Sequence, residues 1–173
     1  DIRSDEGRNI VRRLAESADV LVESEGPGVL ERLGLSYQAI SASNPRLVLL
    51  AISNFGRSGP KLQWVGSDLV FQAMCGPMFT LGDPEREPLK LAENQGLYYA
   101  GGIAAVGLVA AALSARMTQR GTYMDFSIAE ALACNPEVRF ANFAYSGEPS
   151  NRVGNDVFGP YLVGGYPCKD GYV

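Results

Sequence analysis

The chain has 173 residues, 46% hydrophobic and 20% charged, so it is long enough and apolar enough to bury a core. Its 15 basic and 19 acidic residues leave a net charge of −4, which gives no support to nucleic-acid binding. The absence of histidine excludes histidine-based catalysis and histidine metal ligands within the chain. Three widely spaced cysteines argue against a disulfide scaffold or a zinc site, and a reducing cytosol is the simplest setting.

The first third of the sequence alternates between helical and strand patterns. In chain order, the predicted elements are a helix over 4–18 capped by Ser4, a strand over 19–23, a helix over 27–34 that starts at Pro27 and is capped by Gly34, a helix over 36–42, and a strand over 46–52. The two strands are short apolar runs typical of buried parallel strands. Strands separated by helices predict βαβ units and therefore an α/β fold with a parallel sheet.

The middle of the chain continues this pattern. The predicted elements are a loop over 53–66, a helix over 68–73, a loop over 76–88, a helix over 97–115, a half-buried strand over 122–128 and a helix through residue 133 that Ser127 can cap. The loop over 53–66 leaves the carboxyl end of a strand, where ligands bind in open α/β sheets. Loops and short strands are predicted for 151–173.

The run over 97–115 contains no charged residue and is long enough to span a membrane. Alanine and glycine dominate it, and both flanks have the composition of a globular protein. A buried helix that Gly121 caps is therefore the preferred interpretation, and we expect no membrane association.

No isolated motif in the sequence identifies a reaction. The pair Gly101-Gly102 is not a dinucleotide fingerprint, and the stretch over 56–59 lacks the Lys-Ser/Thr of a phosphate-binding loop. No metal, nicotinamide or flavin is implied. Pattern alone therefore reaches only a cytoplasmic α/β domain.

Three stretches, within 19–47, 52–73 and 104–128, carry motifs whose order and spacing are specific in combination. They are Asp-Val-Leu-Val-Glu with Pro-Gly-Val-Leu-Glu-Arg-Leu-Gly and Asn-Pro-Arg-Leu, then Ile-Ser-Asn-Phe-Gly-Arg-Ser-Gly-Pro, then Gly-Leu with Arg-Gly and Met-Asp-Phe-Ser-Ile. In these stretches the chain resembles the family III CoA-transferases, the group that includes formyl-CoA transferase, carnitine CoA-transferase and α-methylacyl-CoA racemase. The resemblance implies a Rossmann-like large domain and an interlocked dimer.

The resemblance also sets expectations for domain boundaries. Residues 1–150 correspond to a fragment of the family's large domain, and residues 151–173 to the start of the following linker and strand region. Both ends of the sequence look internal, so we expect the first βα unit and the carboxyl-terminal part of the family fold to lie outside it.

The family's nucleophile is an aspartate that attacks the acyl-CoA thioester and forms a mixed anhydride. It lies four residues before one glycine and ten before the glycine of a Gly-Leu pair, which correspond here to Gly101 and Gly107. Both spacings place Leu97 at the nucleophile position, and leucine has no lone pair with which to attack. Glu93 is the nearest alternative acid, but it would need a shift of one helical turn that the glycine spacing opposes.

The resemblance further implies five coenzyme A contact positions. Arg3 and Arg32 match basic residues of the family, and both side chains can hold phosphates. Ser24 and Glu25 stand where the family has Asn-Phe, and Glu25 would place a negative charge beside a polyphosphate. Asp68 matches an acidic residue of the family.

Simpler interpretations compete with several of these assignments. In chain order they are a solvated helix-end arginine for Arg32, a helix cap after Ser67 for Asp68, and an exposed loop acid for Glu93. A further departure from the family is Trp64, which stands where an arginine is common.

Departures from the family gather at positions that touch coenzyme A or perform chemistry, whereas scaffold positions match. We therefore expect a family III CoA-transferase domain that acts on an acyl-CoA and a carboxylic acid, without a permanently bound cofactor. It would be a degenerate half or subunit, in a homodimer or paired with a second CoA-transferase unit. The alternatives are an active transferase or racemase/isomerase-like enzyme with a displaced acid, and a non-catalytic dimerisation or acyl-CoA-binding module.

Overall fold

The computed structural model describes residues 1–134, 137–154 and 166–172. In chain order, the elements are α1 (Asp5–Ser17), β1 (Val20–Glu23), α2 (Val29–Arg32), α3 (Tyr37–Ser41), β2 (Val48–Ser53), α4 (Asp68–Met74), α5 (Pro77–Thr80), α6 (Gln95–Thr118), β3 (Thr122–Ser127), α7 (Ile128–Ala133), α8 (Glu137–Ser146), β4 (Pro167–Cys168) and β5 (Gly171–Tyr172). They divide between two compact units, one formed by 1–66 and 97–131, the other by 67–96 and the described part of 132–173.

The first unit is built on a three-stranded sheet in the order β1-β2-β3, with both strand pairs parallel. The central strand β2 is almost wholly buried, which explains its continuous apolar sequence. Helices α1, α2 and α3 contribute Ala15, Leu30 and Ile40 to the core beside it, and Leu35 and Leu47 complete this cluster from the segments between the elements. The α/β fold with a parallel sheet and flanking helices is therefore confirmed.

Local capping explains where helices α1, α3 and α7 begin. The Ser4 hydroxyl accepts a hydrogen bond from the backbone N–H of Gly7 at 3.0 Å, and acidic residues occupy the first turn of α1. The Ser36 hydroxyl likewise accepts from Ala39 at 3.3 Å at the start of α3. Ser127 ends β3 and caps α7, because its hydroxyl accepts from the N–H of Glu130 at 3.2 Å. The predicted caps at Ser4 and Ser127 are confirmed, because a cap lies within a few residues of the helix that it starts.

Three local details of the prediction were wrong. Gly28, with a φ of +77°, caps α2, so Pro27 precedes the helix instead of starting it. A short helix, α5, interrupts the loop predicted over 76–88, with Pro77 in its first turn. Gly121 does not cap the long helix: it packs on the start of β2, where an added Cβ would lie 1.9 Å from the carbonyl oxygen of Leu47.

The long helix α6 is mostly exposed, so the prediction of a buried helix was wrong for this chain. Only Ala100, Ala104 and Ala115 are buried along 97–118, whereas Val106 and Met117 are 74% and 78% exposed. A helix that is apolar all round gives no periodicity from which a buried face can be predicted. Its length and composition would also allow it to cross a membrane, although a single helix of this kind is weak evidence for that.

The second unit contains α4, α5, α8 and a two-stranded antiparallel pair, β4-β5. Its loops are held by backbone hydrogen bonds, including one from Leu89 to Leu81 at 3.1 Å and one from Gly154 to Gly82 at 3.1 Å. The prediction of loop and short strands after residue 150 is confirmed for 151–154 and 166–172, whereas 155–165 lie outside the described residues.

Candidate functional site

The carboxyl ends of the three parallel strands bring several candidate residues to one edge of the sheet. Ser24 and Glu25 follow β1 directly and are exposed, and they line an otherwise mainly apolar cleft of about 540 Å³. Ile2 lines the same cleft, which places the neighbouring Arg3 close to it. The Arg3 side chain is exposed, and its Nε lies 3.0 Å from an Asp1 carboxylate oxygen. Exposed ion pairs are weak, so this arginine can exchange Asp1 for a phosphate.

Arg32 lies apart from that cleft, in the last turn of α2. Its side chain is exposed, and its guanidinium folds back toward Gly28, where an added Cβ would lie 3.0 Å from Nη1. A cation at this position interacts favourably with the helix carboxyl end. The geometry therefore agrees with the simpler interpretation of Arg32 as a helix-end arginine.

A buried ion pair joins the strand ends beneath these exposed residues. Arg57, in the loop after β2, donates through Nη2 to the Glu23 carboxylate, and the two side chains are only 9% and 7% exposed. The same Nη2 donates to the carbonyl of Glu25 at 3.0 Å, while the backbone N–H of Arg57 donates to Asp125 Oδ2 at 3.1 Å. One residue thus connects β1, the loop after β2, and β3.

A second cleft, of about 510 Å³, adjoins this ion pair. It is lined by Pro27, Gly28, Glu31, Tyr37, Gln38, Arg57, Leu62, Tyr123 and Asp125. The rings of Tyr37 and Tyr123 lie 5.8 Å apart between centroids, and the Tyr37 hydroxyl donates to the carbonyl of Leu47 at 3.3 Å. The cleft therefore combines an aromatic wall with carboxylates.

Burial sets the protonation behaviour of these groups. It raises the pKa of Glu23 above the usual 4.5, and the N–H of Glu25 and the Arg57 cation only partly oppose it. Burial also raises the pKa of both Tyr37 and Tyr123. The phenols therefore stay neutral at physiological pH and act as hydrogen-bonding groups.

Asp68, the predicted acidic contact residue of the second unit, is a buried carboxylate in the first turn of α4. Its Oδ2 accepts from Gln72 Nε2 at 2.5 Å and lies 3.6 Å from Lys90 Nζ. The residue is thus tied into a side-chain network and is not a simple helix cap. Gly96 packs on the same carboxylate, since an added Cβ would lie 2.8 Å from Asp68 Oδ1.

The segment that leads into α6 is held by this network. Gln72 Oε1 accepts from the N–H of Leu91 at 2.7 Å, and Lys90 Nζ donates to the carbonyls of Leu91, at 2.8 Å, and Glu93. Glu93 is exposed and has a φ of +47°, an uncommon value for glutamate. It precedes the helix, which begins at Gln95.

Leu97 lies in the first turn of α6 and is 37% exposed. An acid is electrostatically favoured in the first turn of a helix, where backbone N–H groups are unpaired. The position therefore suits a carboxylate electrostatically, although this chain has leucine there.

Trp64 is half exposed, and its ring meets that of Phe55 edge-on with centroids 5.8 Å apart. Lys61 Nζ lies 5.2 Å from the centroid of the indole. The indole therefore has a cation over its ring.

Sequence reasoning missed both buried networks. Arg57 is 34 residues from Glu23 and 68 from Asp125, so spacing along the chain gives no sign of their contact. The available signals were Glu23 at the end of β1, Arg57 in the loop after β2 and Asp125 within β3, because the carboxyl ends of parallel strands share one edge of the sheet.

Comparison with known proteins gives consistent matches along the chain. The sequence model of CoA-transferase family III matches residues 1–173. The BbsE subunit of succinyl-CoA:(R)-benzylsuccinate CoA-transferase from Thauera aromatica is 36% identical over 173 residues, which are 100% of this chain and 42% of that protein. Succinate–glutarate CoA-transferase from Agrobacterium fabrum is 30% identical over 175 residues, which cover 100% of this chain and 43% of that protein.

A solved structure agrees with these sequence matches. A CAIB/BAIF family protein from Brucella suis superposes with a TM-score of 0.90 at 32% identity, over 99% of this chain and 46% of that chain. The chain therefore spans less than half the length of the relatives that it matches.

Proposed function

The chain belongs to CoA-transferase family III, and from that premise we propose that the whole protein moves coenzyme A between an acyl-CoA and a carboxylic acid. In this proposal the present chain is a unit without its own nucleophile, either one half of a longer chain or a subunit. The observation that carries the proposal is Leu97 in the first turn of α6, at the position that the glycine spacing assigns to the nucleophile.

The reaction requires a carboxylate at that position. In the proposed cycle, the nucleophilic carboxylate attacks the thioester carbonyl, the C–S bond breaks, and coenzyme A leaves as a thiolate. The thiolate then attacks the enzyme's carbonyl carbon in the resulting mixed anhydride, which releases the donor as a free carboxylate and leaves coenzyme A as a thioester on the enzyme. The acceptor carboxylate attacks that thioester and expels the thiolate. The thiolate attacks the acceptor's carbonyl carbon in the new anhydride, which forms the product acyl-CoA and frees the enzyme carboxylate. Leucine has no lone pair for the first step, so the nucleophile must come from outside this chain.

Coenzyme A contacts are proposed at the carboxyl edge of the sheet. Ser24 and Glu25 border the cleft after β1, and Arg3 is an exposed cation close to it. Arg32 is retained as a proposed phosphate contact, although its place in α2 also fits a stabilising role. For Asp68 we propose a supporting role, because its carboxylate is buried against Gln72 and Lys90.

The exposed face of α6 supports an assembly. Val106, Val109, Leu113 and Met117 are large apolar side chains left exposed on it. Gly101 and Gly102 have nothing within 4 Å of an added Cβ among the described residues, so another backbone can approach closely. We propose that protein covers this helix, in a cytoplasmic homodimer or in a pair with a second CoA-transferase unit. The relative from Thauera aromatica is itself named as a subunit.

A second candidate function is a non-catalytic acyl-CoA-binding or dimerisation module. Glu25 favours it, because a carboxylate at a family coenzyme A position opposes phosphate binding. In that case coenzyme A binds weakly or not at all, and no acyl transfer to carboxylic acids takes place.

Glu93 is the residue through which an active transferase or a racemase/isomerase-like enzyme would have to work within this chain. The test compares wild type with Glu93→Gln in the full-length protein, together with any CoA-transferase unit that copurifies, using succinyl-CoA and a dicarboxylate. We expect turnover within about twofold of wild type, because exposed substitutions away from the chemistry have small effects.

Glu85→Gln is the matched control, since Glu85 is another exposed loop acid. Loss of turnover in Glu93→Gln alone, with the fold intact, would identify Glu93 as the nucleophile and overturn the proposal.

A further inference from the structure

Arg57 stands out among the charged residues because it contacts both the segment after β1 and Asp125 within β3. Its Nη2 donates to the carbonyl of Glu25 at 3.0 Å, and its backbone N–H donates to Asp125 Oδ2 at 3.1 Å. Gly56, which precedes it, has a φ of +84°, a turn conformation that glycine adopts readily. This turn places Arg57 where it reaches both Glu25 after β1 and Asp125 on β3, the two outer strands of the sheet.

Glu23 completes the arrangement from the other side. Its Oε2 accepts from the backbone N–H of Glu25 at 2.7 Å, while Oε1 pairs with Arg57. Both backbone polar groups of Glu25 are therefore occupied, the N–H by Glu23 and the carbonyl by Arg57. Ser24 lies between Glu23 and Glu25, which these bonds anchor, so the backbone of Ser24 is held as well.

The burial of the ion pair indicates more than a surface contact. Both side chains are at least nine-tenths buried, and Arg57 Nε has no acceptor among the described residues. Buried ion pairs commonly add little net stability, because desolvation offsets their attraction. Because desolvation offsets the attraction between Glu23 and Arg57, we attribute the pair to the backbone geometry that it enforces rather than to stability alone.

We propose that Arg57 is a positioning residue for coenzyme A binding, which fixes Ser24 and Glu25 in place through its bond to the Glu25 carbonyl. This inference rests on the proposed function, since it concerns the same cleft. Arg57 itself need not touch the ligand. It acts by tying the segment after β1 to the loop after β2 and to Asp125 on β3.

The test separates positioning from stability with a pair of variants of the full-length protein. Arg57→Met removes the cation and leaves Glu23 buried without a partner. Glu23→Gln combined with Arg57→Met removes both charges, while the introduced side-chain amide oxygen can still accept from the N–H of Glu25. Free coenzyme A is the probe, with Kd measured by calorimetry and stability by the urea midpoint of unfolding.

We expect Arg57→Met to lower the urea midpoint and to raise the Kd for coenzyme A by about tenfold, because binding must then supply the ordering of Ser24 and Glu25 that the lost hydrogen bond provided. The double variant should recover the midpoint but keep the raised Kd, since the Glu25 carbonyl still lacks its donor. Arg57→Lys should restore the Kd only in part, because one ammonium replaces a planar fork of donors. Arg13→Met, at an exposed arginine of α1, is the control.

Two results would overturn the inference alone: a wild type that binds coenzyme A with Arg57→Met binding equally well, or a double variant that recovers both midpoint and Kd. A folded wild type that does not bind coenzyme A would overturn the proposed function, and this inference with it. The wild-type measurement therefore distinguishes the two failures.

Discussion

Lys90 faces the buried carboxylate of Asp68 in the second unit, at 3.6 Å and with 34% of its own side chain exposed. It also donates to two backbone carbonyls of the segment before α6. Removal of the ammonium would leave the buried Asp68 carboxylate with fewer partners. An uncompensated buried charge lowers the free energy of unfolding, and more so the more deeply it is buried. The Lys90 side chain thus holds the segment that leads into α6.

For Lys90→Met we expect the free energy of unfolding to fall by about 1–2 kcal/mol, between the effects seen for exposed and for buried ion pairs. Urea denaturation of the full-length protein measures it. Lys169→Met is the matched control, because Lys169 is exposed, and its change should stay within about 0.5 kcal/mol. Equal effects of the two variants would show that the Asp68 network does not stabilise the fold.

The raised pKa of Glu23 predicts that the stability of the fold depends on pH. Its folded-state pKa is raised above the usual 4.5 by burial, so the folded state holds the proton more tightly than the unfolded chain does. The stability that this gives is fully present below pH 4.5 and is lost as the pH rises through the folded-state pKa. The urea midpoint of wild type relative to Glu23→Gln should therefore fall as the pH is raised across that window.

The measurement is a series of urea titrations of both proteins, with Glu85→Gln as a control for the loss of one negative charge. A difference between wild type and Glu23→Gln that stays constant or grows with pH would mean that the Arg57 ion pair, and not burial, dominates the energetics of Glu23.

Features of an element that depend on neighbouring residues in the sequence could be predicted. Features that depend on residues or surfaces far away along the chain could not. The caps of α1 and α7 involve residues three positions apart, and the continuous apolar sequence of β2 indicates its burial. The exposure of α6 depends instead on which other protein surfaces are present, and its uniformly apolar sequence contains no record of that. The predicted helix over 97–115 lies within the observed Gln95–Thr118. The uniformly apolar sequence indicated the helix but not its exposure.

The exposed face of α6 predicts an interface that a single charge should disrupt. Val109→Glu places a carboxylate in the middle of that face, and an unpaired charge is expensive to bury against apolar protein. We expect the full-length variant to shift toward smaller species in sedimentation or light scattering at concentrations where wild type is assembled.

Val65→Glu makes the same chemical change at an exposed loop valine and serves as the control. It should leave the assembly unchanged. Unaltered assembly in Val109→Glu would show that α6 is not part of an interface between subunits.

On the scale of the whole molecule, family membership followed from motif order, whereas the site could be predicted only in part. The glycine spacing assigns the family's nucleophile position to Leu97, which lies in the first turn of α6. The Arg57 and Lys90 networks could not be predicted, since each joins residues that only the folded chain brings together. The chain spans less than half the length of each of these relatives.

The central claim is that this chain contributes no nucleophile, and covalent trapping tests it most directly. The full-length protein is incubated with succinyl-CoA, quenched with hydroxylamine or borohydride, and digested so that mass spectrometry locates any modified carboxylate. We predict either a label on an acidic residue outside this chain or no label at all. A modified carboxylate within residues 1–173 would contradict the account and identify a relocated nucleophile.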